Sequence, residues 1–125
     1  MKFMTMVFSD EAQGPPPPAL MGAIMQLGAD AMQAGVLVEQ GGLHRTQRGA
    51  RVRLKGGKIT VTDGPFAESK EVIGGYAVYS VKSKEEVLEW TQRFMDVHRE
   101  HWPGWEGVSE VRQIFGPEDF APPSA

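Results

Sequence analysis

The chain has no cysteine, which excludes disulfides, thiolate metal sites and cysteine nucleophiles. Histidine is scarce, at positions 44, 98 and 101 only. No apolar run approaches the ~20 residues that a membrane span requires. The opening MKFMTMVFSDE has one lysine and a short apolar stretch. It lacks the longer apolar core and small-residue cleavage site of a secretory signal, so the expectation is a cytoplasmic protein of bacterial type. Net charge is −3 and the basic residues are scattered. Neither an electrostatic nucleic-acid footprint nor a basic recognition helix is visible, and direct nucleic-acid binding is not expected. There is also no Gly-Lys-Ser/Thr phosphate loop, no strand-linked dinucleotide fingerprint and no Gly-x-Ser-x-Gly elbow. No cofactor and no metal are implied.

What is present suits one folded domain. The 125 residues, 41% hydrophobic and 23% charged, are of ordinary globular composition and enough for a single core. FMTMVF (3–8) reads as a buried strand. GPPPP (14–18) is a stiff loop that delivers Pro18 to the first turn of a helix. Leu20, Ile24, Leu27 and Ala31 then share one helical face, and Gly35 stops the helix. Gly22 and Gly28 weaken that helix and suggest close packing against a sheet.

Residues 36–50 read as extended and turn-rich. RVRL, the KGGK turn and ITVT (51–62) form a hairpin signal. Alternation sets Arg51 and Arg53 on one face of their strand, with Val52 and Leu54 on the other. YAVYSV (76–81) is a further strand. Ser83 and Glu86 make a capping box, followed by the helical stripe Val87, Trp90, Phe94 and Val97. WPGW (102–105) breaks that helix, VSEVRQIF (108–115) is a last strand, and GPEDFAPPSA (116–125) is a Pro-rich tail or arm.

The resulting order, β-α-β-β-β-α-β, predicts an α+β fold of the split β-α-β, ferredoxin-like kind with helices on one sheet face. An apolar uncovered face would need a partner, normally a second copy of the chain.

The stretch VTDGPFAESKEVIGGYAVYSV (61–81) closely resembles the signature of the YCII-related, DGPF-domain family. KFMTMVFSDE, GVLVEQGGL, RVRLKGGKITVTDGPF, SKEEVLEW and EVRQI extend the resemblance over residues 1–115, leaving 116–125 as the tail. The resemblance implies a ferredoxin-like unit that pairs into a dimeric α/β barrel, with a cleft between sheet and loops. It implies no settled activity. Some relatives resemble small-molecule enzymes with a His–Asp pair, for which this sequence offers no alignable residues; others have been linked to transcription initiation. Gln113 departs from the commoner Glu-Val-Arg-Pro ending, and RFMDVHREHWPGWEG is longer than usual.

Two readings stand for the charged residues. In the first, Asp63, Glu68 and His44 are acid–base groups in a cleft beside the Asp-Gly-Pro-Phe corner, and Arg51, Arg53, Lys70 and Arg112 hold a small anionic substrate. In the second, Asp63 is an ordinary turn residue and the loop charges, Glu71 among them, are solvated or form dimer-interface ion pairs. Under this reading the protein is a ligand sensor or accessory protein that works through its dimer surface. Gly74 and Gly75 would let a ligand or partner strand pass close. His98 and His101 share a helical face, but no third ligand accompanies them, and a histidine there also suits the helix dipole.

Overall fold

The structure, a computed structural model, describes residues 1–66 and 71–120. Strand β1 (Lys2–Ser9) leads through a proline-rich loop to α1 (Pro18–Gln33), followed by β2 (Leu37–Gly42). A hairpin of β3 (Ala50–Lys55) and β4 (Lys58–Asp63) comes next. The frame resumes with β5 (Val72–Ser80), α2 (Lys84–His101) and β6 (Gly107–Gln113). No helix among the described residues is long and apolar enough to cross a membrane.

Four strands form one antiparallel sheet in the order β2-β5-β1-β6, while β3 and β4 pair only with each other. Without the hairpin, the chain order is β-α-β-β-α-β with the first strand between the last two of the frame, which matches a ferredoxin-like topology. The expected α+β class therefore holds, with one strand more than expected. Residues 37–42, part of the segment read as extended and turn-rich, pair with β5 along Leu37↔Tyr79 to Gly42↔Gly75. The sequence marked an extended stretch there but no defined strand. The ladder to β5 supplies it, because backbone hydrogen bonds are indifferent to side chains.

Both α-helices lie on one sheet face. Phe3 of β1, Ala77 and Tyr79 of β5, Ala31 of α1 and Val87 of α2 are buried together with Val36 and Val81. Ser83 caps α2 by accepting from the Glu86 N–H at 3.2 Å, and Glu86 returns by accepting from the Lys82 N–H at 3.0 Å. Helix α1 begins at Pro18 and carries buried Leu20, Leu27 and Ala31, as the periodicity predicts. The stripe on α2 is wider than its apolar residues suggest, because Thr91 and His98 are also buried.

The opposite sheet face is set by the same register. Met4, Met6 and Phe8 alternate with Phe3, Thr5 and Val7, and their neighbours are Val78 and Tyr76 on β5 and Arg112, Glu110 and Val108 on β6. This face carries no α-helix. It is an apolar strip with charged residues along its β6 edge.

The hairpin turns on Gly56 and Gly57, both at positive φ (57° and 76°), the geometry of a tight two-residue turn. Neither of its strands packs substantially against any other strand or helix.

Candidate functional site

The Asp-Gly-Pro-Phe corner closes the base of the hairpin. The Gly64 N–H donates to the Gly49 carbonyl at 2.9 Å. The segment between β2 and β3 lies against the corner, so near that a Cβ on Gly64 would stand 1.7 Å from the Thr46 carbonyl oxygen. The Phe66 N–H donates to Thr46 Oγ1 at 3.3 Å. That hydroxyl in turn donates to Glu11 Oε1 at 2.6 Å, and the Thr46 N–H donates to Glu11 Oε2 at 2.8 Å. The hydroxyl hydrogen bond, then the amide one, with the Arg45 charge assisting, hold the Glu11 carboxyl below the ordinary carboxylate range. Arg45 Nη1 also donates to the Glu11 carbonyl at 3.0 Å. Thr46 therefore ties the end of β1, the β2–β3 segment and the corner into one unit.

The described cations named from sequence, Arg51, Arg53 and Arg112, are not gathered at one point. The Arg51 guanidinium lies 3.9 Å above the Phe66 ring, a cation–π stack. Arg53 is exposed further along β3. Arg48 Nη1 sits 3.3 Å from both ring nitrogens of His44, and both residues are exposed. Arg112 lies in the other sheet, on the exposed edge strand, paired with Glu110 at 3.3 Å. Glu68 and Lys70 lie outside the described residues.

Asp63 is exposed, and its carboxylate makes no hydrogen bond or ion pair among the described residues. The hairpin register pairs Ala50 with Asp63, Arg51 with Thr62 and Arg53 with Thr60. Arg51 and Arg53 thus share one face, as alternation predicts, and Asp63 falls on the other with Val61 and Val52. A groove of about 470 Å³ at the end of β1 is lined by Asp10, Glu71 and Glu106 together with Gln13. The Gln13 amide closes one end, donating to the Glu106 carbonyl at 2.9 Å and accepting from the Glu106 N–H at 2.8 Å. This groove is acidic, and Arg51, Arg53 and Arg112 are not among its described lining residues.

A model of the YCII-related domain matches residues 1–115. The chain belongs to the YCII-related domain family. No curated protein matches it. In this YCII-related chain the family's corner motif is a junction whose buttress, Glu11 with Thr46, lies outside the motif itself. Sequence reading missed both residues. The one available signal was Glu11 as a carboxylate directly after a strand, and nothing in the sequence paired it with a threonine 35 positions on.

The two late histidines separate in role. His98 is buried, its Nδ1 lies 2.9 Å from the Phe94 carbonyl, and its ring lies between those of Phe94 and Trp105 at 4.6 and 4.5 Å. Burial lowers its pKa from the ordinary value of 6.5. His101 is only half-buried. Among the described residues no three potential ligands cluster for a metal ion.

Proposed function

We propose that this YCII-related chain acts as a homodimeric α/β barrel that binds a small anionic molecule at the corner. The observation that carries the dimer is the sheet face that no α-helix covers, where Met4, Met6, Phe8, Tyr76 and Val78 stand half-buried. A second copy set against this face buries what one copy leaves partly open to water. The anionic ligand is supported by the exposed Arg45, Arg48 and Arg53, three guanidinium groups within nine positions of sequence, a group that can hold carboxylate or phosphate bidentately.

This is a binding reading rather than a single-chain catalytic one. Asp63 and Arg53 occupy opposite hairpin faces, so an acid–base carboxylate and its anion clamp do not meet within the described part of one protomer.

Sedimentation at micromolar concentration tests the dimer. The expected result is a dimer that Met6→Lys with Val78→Lys converts to monomer. A monomeric native chain overturns the reading. Thermal-shift screening against small dicarboxylates and phosphate tests the ligand: stabilisation that Arg48→Gln removes supports it, and no response to any of them refutes it.

A further inference from the structure

The hairpin is built like an element that has lost its other half. Val52, Leu54, Ile59 and Val61 all project from one face, as the pairs Val52↔Val61 and Leu54↔Ile59 require. They are 69, 71, 70 and 68% exposed. The other face holds Arg51, Arg53, Lys55 and Lys58 with Thr60 and Thr62. This is the pattern of a half-buried strand pair, apolar inward and charged outward, with its inward side bare. A two-stranded hairpin on its own is marginal in water. Four β-favouring aliphatics on the outside of a protein carry a solubility cost unless something covers them.

From this we infer that the β3–β4 hairpin is an arm whose aliphatic face packs on the open sheet face of a second copy of the chain. The inference rests on the homodimer reading and adds to it the element that makes the contact.

Three observations favour a second copy as the occupant. First, the receiving surface is present on the same chain: the strip of Met4, Met6, Phe8 and Val78 is apolar and uncovered by a helix. Each copy then has one arm to place and one face to fill, and a two-fold axis satisfies both without residue. Second, the size is right. A stable interface takes about 800 Å² from each partner. Four exposed aliphatics supply a patch of a few hundred Å², too little alone, and the sheet face supplies the remainder. Third, the charges agree. Four of the chain's thirteen Lys and Arg residues lie on the arm against one of its sixteen Asp and Glu residues. An acidic chain with a cationic arm attracts its own copy.

The arm is also held ready. The Gly64–Gly49 hydrogen bond and the contact of Gly64 with Thr46 fix its base to the body. Its direction is set before any partner arrives, so little ordering is left to oppose association.

The experiment compares the native chain with Leu54→Asp/Ile59→Asp by sedimentation equilibrium, with circular dichroism as the check on folding. Both positions are about 70% exposed, so the variant is expected to keep the native spectrum. Its dimer dissociation constant is expected to rise about 100-fold or more, the scale of losing central interface residues. A double variant that dimerises as tightly as the native chain overturns the arm while leaving the dimer intact. A native chain that is monomeric overturns the dimer reading and the arm together.

A photo-crosslinker in place of Val61, in a mixture of ¹⁴N- and ¹⁵N-labelled chains, gives a second readout that does not depend on the variant's folding. Expected are mixed-label peptides joining β4 to β1 or β5. Mixed-label peptides joining β4 to β4 instead, or only same-label products, overturn the proposal.

Discussion

Gly64 lies against the carbonyl of Thr46 with no room for even one methyl group, since a Cβ there would stand 1.7 Å from the oxygen. The obstacle is backbone, which cannot swing away as a side chain does. Gly64→Ala should therefore cost about 2–3 kcal/mol, at the upper end of overpacking substitutions. Chemical denaturation measures it. Because Gly64 also clasps the hairpin base, the variant should show faster amide exchange at Gly49 and Thr46 than the native chain.

Thr46 offers a test of the buttress behind the corner. Thr46→Val keeps the shape but removes the hydroxyl that donates to Glu11 and accepts from Phe66. A loss of about 1 kcal/mol is expected, the scale of one partly exposed hydrogen-bond link. The pH dependence carries the sign. The folded pKa of Glu11 is held below its ordinary 4.5, so its contribution is complete above that value and is lost as pH falls through the folded pKa. Glu11→Gln should flatten the stability curve below about pH 4.5, and Thr46→Val should flatten it in part because the Thr46 amide remains. Thermal melts between pH 3 and 6 check both.

His98 makes a prediction in a different window. Burial depresses its folded pKa below 6.5. The unfolded chain then binds the proton more readily, so stability is full above about pH 6.5 and falls as acid carries the solution toward the folded pKa. Replacing His98 with Gln should remove that part of the decline, at the cost of ring packing against Phe94 and Trp105 worth about 1–2 kcal/mol at neutral pH. NMR titration of the three histidines gives the direction independently.

Helix α1 holds two glycines with opposite expectations. A Cβ on Gly22 meets nothing within 4 Å, so Gly22→Ala should stabilise by about 0.5–1 kcal/mol through helix propensity alone. A Cβ on Gly28 would come 2.3 Å from the Gln40 amide nitrogen. That contact is the far end of a flexible side chain, so Gln40 can move, and Gly28→Ala should come out near neutral. Melting temperatures of the two variants separate the cases.

The helices, the hairpin and the capping box were legible because each is a local pattern: Pro18 and Gly35 bracket α1, Gly56 and Gly57 make the turn, and Ser83 precedes Glu86. Strand β2 was legible only as part of an extended, turn-rich stretch, because its pairing to β5 is nonlocal and its glycines favour turns. The buried face of α2 was misjudged at Thr91 and His98. A polar side chain counts as outward in a periodicity reading unless its hydrogen bond is known, and here each bonds to the carbonyl one turn back, at Val87 and at Phe94. At the candidate site, sequence named the arginines and the corner but left their mutual arrangement open. The opposed directions of Asp63 and Arg53 follow from a register that only the folded hairpin fixes.

The clasp between Gly49 and Gly64 divides the molecule into parts that can change at different rates. The strands between those residues add nothing to the four-stranded sheet. Insertions, deletions and exchanges there can alter what the protein associates with while leaving its ability to fold untouched. Natural variation in length and sequence should therefore gather in this loop-out, and swapping it between related chains should transplant pairing preference without disturbing the scaffold.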